Sequence, residues 1–391
     1  MKQTLAITLM NLRAIPQRLG TSLVIVIGIA GVVAVLVSVL AMAVGFHKTV
    51  SNTGRPDRAL VLRGGSQAEI NSSLSREDAQ TVLDAPGIRR TADGKPIACG
   101  EAVTIISMKT IADDSDSNVT LRGTCDKLQA LRPELKIVAG RMFEPAVREL
   151  IVGVSAAKQF KNLQIGDEIE FRNSSWTVVG HFTTGGDNHE SELVGDIETV
   201  LSAYRRNGYQ SLTALLNSPE QYAAFKDSLT TNPTLKVDVR TEPEYYAEQS
   251  EQLTKLLNFL AYFVGGIMAI GAMFGALNTM YSAVSSRSVE IATLRSIGFS
   301  AMPVVVSVIV EAILLSLIGG VIGSALAWIF FNGNAVSTLG GGFSQVVFEL
   351  TVSPGLISTG IIWACLIGLV GGLFPSIRAA RLPIVDALRA N

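Results

Sequence analysis

The sequence predicts an α-helical membrane protein with four transmembrane helices, arranged one plus three, and a large mixed α/β extracytoplasmic domain between helices 1 and 2. Three observations carry this expectation. Charged residues make up 17% of the 391 residues against 48% hydrophobic, below the roughly 25% charged fraction of soluble proteins. Four long stretches are almost free of charge. Residues 47–255, between the first two of these stretches, hold 24 Lys and Arg and 29 Asp and Glu, a net −5, which leaves +4 on the rest of the chain. The overall charge of −1 argues against a broadly basic nucleic-acid binder, and three cysteines are too few for a disulfide-stapled scaffold.

The first span is read at residues 19–46. No charge occurs between Arg18 and Lys48, and about 20 residues at 1.5 Å each cross the hydrocarbon core. Ala41-Met42-Ala43 resembles a signal-peptidase site, but a secretory signal has an apolar region of only about 7 to 15 residues. An uncleaved anchor is the reading, preceded by a cytoplasmic amphipathic helix at 1–18. The second span lies within 241–284, the third at 301–331, interrupted by Glu311, and the fourth at 353–377. Short loops set the orientation, because Lys and Arg near span ends favour the cytoplasm. Lys2, Arg13 and Arg18 precede span 1, Arg287 and Arg295 separate spans 2 and 3, and Arg378, Arg381 and Arg389 follow span 4. The external loop at 332–352 has neither Lys nor Arg. Both termini are therefore expected in the cytoplasm, with the 378–391 tail there and the 47–240 domain outside.

Within that domain, Arg58 to Arg63 reads as a strand, and Ser75-Arg-Glu-Asp78 is a capping box opening a helix that stops before Pro86-Gly87. A matching unit comes late: strand 211–216, Ser218 and Pro219 starting a helix, then strand 235–240. These two βαβ-like halves are expected to sandwich a β-rich insert at about 121–203, where β-branched residues alternate between Gly-Asp and Asn-Ser turns. Thr241-Glu-Pro-Glu244 is a second capping box. Helical spacing continues from it into span 2, predicting a stalk of some 60 Å that links the domain to the membrane.

Catalytic chemistry is not legible. The chain lacks G-x-x-x-x-G-K-[ST], G-x-G-x-x-G, H-E-x-x-H and C-x-x-C motifs, so no catalytic, cofactor or metal residue is assigned and no ATP binding is expected of this chain. His189 with Asp187, Glu190 and Glu192 reads as a solvated turn in preference to a metal site. Cys99 and Cys125 are both external, so an oxidising compartment permits a disulfide if their Cα atoms lie about 4.4 to 6.8 Å apart. Cys365 reads as a packing residue. Glu311 is costly inside a span and is expected to hydrogen-bond a neighbouring helix, since the spans offer it no second ionisable group for a proton relay. Gly271-x-x-x-Gly275, Gly319-x-x-x-Gly323 and Gly368-x-x-x-Gly372 allow close helix approach.

The loop between spans 2 and 3, read as a short helix at 285–300, is the most informative segment. Ile291, Leu294 and Ile297 recur at three-residue spacing as an apolar stripe, although Arg287 and Glu290 fall along the same side. Gly298 is placed as its C-terminal stop. Arg287-x-x-Glu290-Ile291-Ala292-x-Leu294-Arg295-x-Ile297-Gly298 resembles the coupling-helix pattern of the MacB/LolC/FtsX permeases, the mechanotransmitting (type VII) ABC transporters. Glu311 followed by Gly319-Gly320 and Gly323 is similar to that family's third span. The tail from Pro375 through Arg378, Arg381 and Arg389 and the external stretch Ala157 to Gly180 resemble it as well.

The resemblance implies a non-catalytic permease in the bacterial cytoplasmic membrane, which transmits ATPase-driven movement to its external domain. It implies a separate ABC ATPase in two copies that holds the ATP and Mg, and a second permease, identical or a paralogue. Fused relatives carry the ATPase at the N-terminus, whereas about 18 residues precede span 1 here. By the same resemblance, Arg287, Glu290, Ile291, Leu294, Arg295, Ile297 and Gly298 would dock into the ATPase groove, and Arg378 to Arg389 would brace it. Export through a periplasmic adaptor and outer-membrane channel, lipoprotein extraction and control of cell-wall hydrolases all suit this reading. An ATP-independent membrane receptor or regulator of cell-wall enzymes is the alternative; an external enzyme lacks a recognisable site.

Overall fold

The computed structural model describes residues 7–10, 19–339, 345–381 and 383. In chain order the principal elements are α1 (Leu19–Ser51), β1 (Arg58–Arg63), α2 (Arg76–Leu83), β2 (Ala98–Lys109), β3 (Asp116–Thr124), β4 (Lys136–Gly140), β5 (Glu149–Gly153) and α3 (Val154–Gln159). There follow β6 (Glu168–Phe171), β7 (Ser174–Thr183), β8 (Glu192–Asp196), α4 (Ile197–Ala203), β9 (Ser211–Leu215), α5 (Tyr222–Thr230) and β10 (Val237–Thr241). The chain ends with α6 (Glu242–Ser286), α7 (Ser288–Ser296), α8 (Ala301–Phe331), β11 (Ala335–Leu339), β12 (Gln345–Glu349) and α9 (Pro354–Ala380). Of the expected 1–18 helix, residues 7–10 are helical; 1–6 and 11–18 lie outside the described residues.

Two compact units divide the chain: Met1–Val44 with Lys255–Asn334 and Leu350–Asn391, and Gly45–Thr254 with Ala335–Glu349. The first contains the apolar parts of α1, α6, α8 and α9, four helices long and apolar enough to cross a membrane. Its core joins Ile29, Val33, Val37, Leu315, Ala364 and Ile367. Glycine lets backbones meet there. A Cβ on Gly319 would lie 2.8 Å from the Val26 carbonyl oxygen of α1, and one on Gly372 would lie 2.6 Å from the Ala312 Cβ of α8. Among the described residues, Gly271 and Gly275 of α6 have nothing within 4 Å of the same position, so there two of the three Gly-x-x-x-Gly pairs pack against neighbouring helices.

The second unit is built on a sheet in the order β10-β1-β9-β2-β3-β8-β5-β7-β4, with β6 against β7. Ser75 and Asp78 close the expected capping box at the start of α2. In chain order the two βαβ halves flank the insert, but in the sheet their strands lie together at one end. β9 lies antiparallel between β1 and β2, and β1 lies antiparallel between β9 and β10, so two split βαβ units interlock in one sheet. Their shared core holds Val61, Val82, Leu212, Ala214, Phe225 and Val239.

The insert begins earlier than residue 121. β2 is a 12-residue strand whose first part, Ala98 to Glu101, pairs with β9 and whose second part, Ala102 to Lys109, forms a hairpin with β3. Alternation alone placed no boundary there, because the strand is continuous while its partner changes. The insert core centres on Leu121, Leu150, Val152, Trp176 and Leu193, with Trp176 stacked on Phe171 at 5.0 Å between ring centroids.

Helix α6 is unbroken over 45 residues, roughly 68 Å at 1.5 Å each. Thr241 Oγ1 accepts from the Glu244 N–H at 3.3 Å, while the Glu244 carboxylate accepts from the Thr241 N–H at 3.4 Å, closing the second capping box. Residues 332–352 are not a plain loop: β11 and β12 pair in antiparallel register from Ala335 opposite Glu349 to Leu339 opposite Gln345. The fourth helix continues through Ala380, beyond the expected 377.

Candidate functional site

The short helix α7 follows α6 after a single residue, Arg287, whose backbone leaves helical geometry. The break is enough to turn the chain while the Ile291 N–H still bonds the Arg287 carbonyl at 2.9 Å. At the other end Gly298 adopts φ +101°, a conformation glycine enters without a Cβ clash. The Phe299 N–H then reaches the Leu294 carbonyl at 3.1 Å and the Gly298 N–H reaches Arg295 at 3.2 Å, the paired bonds of a Schellman stop.

Arg287 is buried at 5% exposure and Glu311, on α8, at 4%. The guanidinium meets the carboxylate side by side, Nη1 to Oε2 at 2.9 Å and Nη2 to Oε1 at 2.7 Å. Such a two-point pair fixes orientation as well as distance. In an apolar core each charge would be expensive without the other. The pair therefore ties the entrance of α7 to the third span.

A second tie lies at the opposite end of α7. Arg295 Nη1 donates to the Ala380 carbonyl at 2.9 Å, where α9 ends and its last carbonyls need donors. Arg378, two residues earlier on α9, places its guanidinium 5.4 Å from the centre of the Tyr281 ring on α6, a cation–π distance. Arg381 occupies the position after α9, its N–H bonding the Ile377 and Arg378 carbonyls. Arg389 lies outside the described residues.

The sequence-predicted docking set is thus divided. Ile291 is buried and Leu294 packs half-buried on the membrane core. Glu290, Ile297 and Gly298 are exposed, Ile297 at 67%, with Val289 beside them at 40%. Three expectations need correction. Arg287 does not present its guanidinium outward; it is spent on Glu311. The three-residue stripe does not stay on one face either. Each three-residue step falls about 60° short of a full turn, so Ile297 has rotated out by the time Ile291 is inside. Glu311 bonds a residue from the connecting turn, not one from a span. The signal was present: Arg287 fell on the apolar side of α7, and an arginine there requires a buried partner.

The α/β unit holds a second concentration of charge. Asp187, His189, Glu190 and Glu192 were expected as a solvated turn, but all four are buried. His189 Nδ1 lies 3.1 Å from Glu192, which also accepts from Arg122 Nε at 2.7 Å. Arg122 continues to Glu69 at 2.9 Å and Glu101 at 2.8 Å. Glu242, the first residue of α6, binds Arg58 Nε at 2.6 Å and also Arg132. Burial and Arg132 oppose a charge on His189, but Glu192 and Glu242 outweigh them and hold the imidazolium up to about 9. Burial likewise opposes ionisation of Glu192, and Arg122 and His189 overcome it, keeping that carboxyl well below its ordinary range. Glu190 is spent inside its own loop, accepting the N–H groups of Thr184, Gly185 and Gly186 at 2.8, 3.0 and 2.9 Å. No group of three metal-ligating side chains occurs among the described residues. Cys99 and Cys125 form a disulfide with Cα atoms 5.5 Å apart.

Four apolar helices, with an α/β domain inserted after the first and a short helix pinned between the second and third, define a multi-pass membrane protein with an extracellular domain. Residues 19–232 match the MacB-like periplasmic core domain family and residues 262–384 the FtsX-like permease C-terminal family; the chain belongs to the MacB/FtsX-type ABC transporter permeases. It is 22% identical over 388 residues to an uncharacterised ABC transporter permease, YknZ, of Bacillus subtilis (strain 168), covering 94% of each chain. It is 23% identical over 417 residues to the macrolide export ATP-binding/permease protein MacB of Bdellovibrio bacteriovorus, covering 97% of this chain and 60% of that one. The crystal structure of the extracellular domain of YknZ from Gram-positive bacteria aligns with a TM-score of 0.35 at 16% identity, over 47% of this chain and all of that domain.

Proposed function

We propose that this chain is a permease subunit that carries ATPase-driven movement across the membrane to its extracellular domain, for export or extraction of a substrate. The observation that carries the reading is the mounting of α7. Arg287 on Glu311 and Arg295 on the Ala380 carbonyl hold it at both ends from within, while Val289, Glu290 and Ile297 stay exposed. A helix fixed this way passes a push at its outer face to α6, α8 and α9 together; a floppy loop would absorb it.

The occupant of that face is an ABC ATPase, which supplies ATP and Mg; two ATPase copies and two permease copies, identical or paralogous, form the working complex. The face and both termini then lie in the cytoplasm, with the α/β domain on the far side of the bacterial inner membrane. Export would add a periplasmic adaptor and an outer-membrane channel. Reconstitution in liposomes tests the reading. ATP hydrolysis by the ATPase should rise when the wild-type chain is present and stay at its basal rate with Ile297→Asp. Equal stimulation by both chains would remove α7 as the docking element, and no stimulation by either would favour an ATP-independent receptor.

A further inference from the structure

The segment joining α8 to α9 clusters with the α/β unit, and its attachment there is specific. Gln159, at the end of α3, donates through Nε2 to Ser337 Oγ at 2.8 Å and also to Gln345 Oε1. Gln345 Nε2 donates to Ser117 Oγ on β3, and the Val347 N–H donates to Ser191 Oγ at 3.0 Å, just before β8. On the other face of β12, Val346 and Phe348 are 5% and 2% exposed, with Phe348 edge-on to Phe46 at 5.5 Å between centroids. A Cβ at Gly45 would collide with the Glu349 carbonyl, so the hairpin lies directly on the backbone there.

The polar partners Ser117, Gln159 and Ser191 all belong to the insert half of the sheet. The two long helices join the unit elsewhere: α1 leads into β1, and β10 runs directly into α6, the two strands at the opposite end of the strand order from β4. We infer that the β11–β12 hairpin is a strap through which spans 3 and 4 act on the β-rich insert, by a route additional to α1 and α6, which lead into the split βαβ half. The inference rests on the movement-transmitting reading proposed above. The hairpin's contacts to Gln159, Ser117 and Ser191 are hydrogen bonds between uncharged groups. A cavity of about 60 Å³ lies where hairpin, stalk and sheet meet, lined by Phe46, Val346, Tyr245, Gln249, Arg122 and Glu192.

The test uses the full chain with its ATPase in membranes, with Cys365→Ala and spin labels on Gln80→Cys, in the split βαβ half, and Glu170→Cys, in the insert, both exposed positions. Trapping with ATP and vanadate should change the label-to-label distance in the intact chain. Gln345→Ala with Ser191→Ala, which removes hydrogen bonds between the hairpin and the insert, should abolish that change while ATP hydrolysis persists, and Gln159→Ala with Ser117→Ala, which removes them from the insert side, should do the same if the first pair fails to fold. In an unlabelled chain, Ser117→Cys with Gln345→Cys should cross-link on oxidation and keep its ATPase stimulation. An equal distance change in intact and strap-deficient chains, or no cross-link, would overturn the strap alone. No change in the intact chain would overturn the movement reading and the strap with it.

Discussion

Arg287 meets Glu311 through two parallel hydrogen bonds of 2.9 and 2.7 Å, both side chains buried. One residue lies in the turn after the second span and the other within the third, 24 positions apart. Removing one partner leaves the other charge stranded, a loss of about 3–5 kcal/mol for buried pairs, whereas apolar replacement of both is often neutral. Glu311→Ala should therefore lower the thermal midpoint of the detergent-solubilised chain far more than Arg287→Met combined with Glu311→Leu. Equal losses for the single and double variants would show that the pair is not coupled.

His189 makes the α/β unit sensitive to alkaline pH. Its folded value of about 9 stands above the ordinary 6.5, and at about 1.4 kcal/mol per unit the difference is roughly 3 kcal/mol. Because the folded value is the higher one, this stabilisation is complete below about 6.5 and is lost as pH rises through about 9. A urea midpoint series from pH 6 to pH 10 should fall across that window in the wild-type chain and be flatter in His189→Gln. Parallel curves would refute the assignment.

The glycines of the spans are not equivalent. Gly319→Leu would drive a side chain into α1, where a Cβ alone would approach the Val26 carbonyl to 2.8 Å, and overpacking costs about 1–3 kcal/mol or more. A Cβ on Gly275 meets nothing within 4 Å among the described residues, and Gly275→Leu should leave the detergent-solubilised monomer's thermal midpoint unchanged. A loss of equal size for both would show that helix propensity, not packing, governs these positions.

The disulfide between Cys99 and Cys125 closes a loop with a sequence separation of 26. Cross-links of this length stabilise by about 2–4 kcal/mol. Cys99→Ala with Cys125→Ala should lower the denaturant midpoint of the chain, and a reducing agent should move the wild-type midpoint to the same place while leaving the variant unaffected.

The spans were legible because hydrophobic length is a one-dimensional property, and both capping boxes because their four residues are contiguous. Interlocking of the βαβ units was not, since β9 enters between β1 and β2 from more than 100 residues away. The same limit hid the ion cluster: His189, Glu190 and Glu192 look like an acidic surface turn until Arg122 arrives from β3. In α7 the pattern gave the helix and its Gly298 stop but mistook the direction of Arg287. A charged residue on an apolar stripe looked like an imperfection, and its explanation lay in Glu311 across the loop. The β11–β12 hairpin was missed because its partners, Ser117, Gln159 and Ser191, all lie in another part of the chain.

The central claim is that the exposed face of α7 receives an ABC ATPase. Affinity purification of the tagged chain from native membranes, followed by mass spectrometry of the intact complex, tests it most directly. The wild-type chain should bring down an ABC ATPase in a 1:1 ratio of subunits. Ile297→Asp, an exposed change that leaves the Arg287–Glu311 pair untouched, should lose it while keeping the wild-type thermal midpoint. An ATPase retained at full yield by Ile297→Asp, or no ATPase with either chain, would contradict the account.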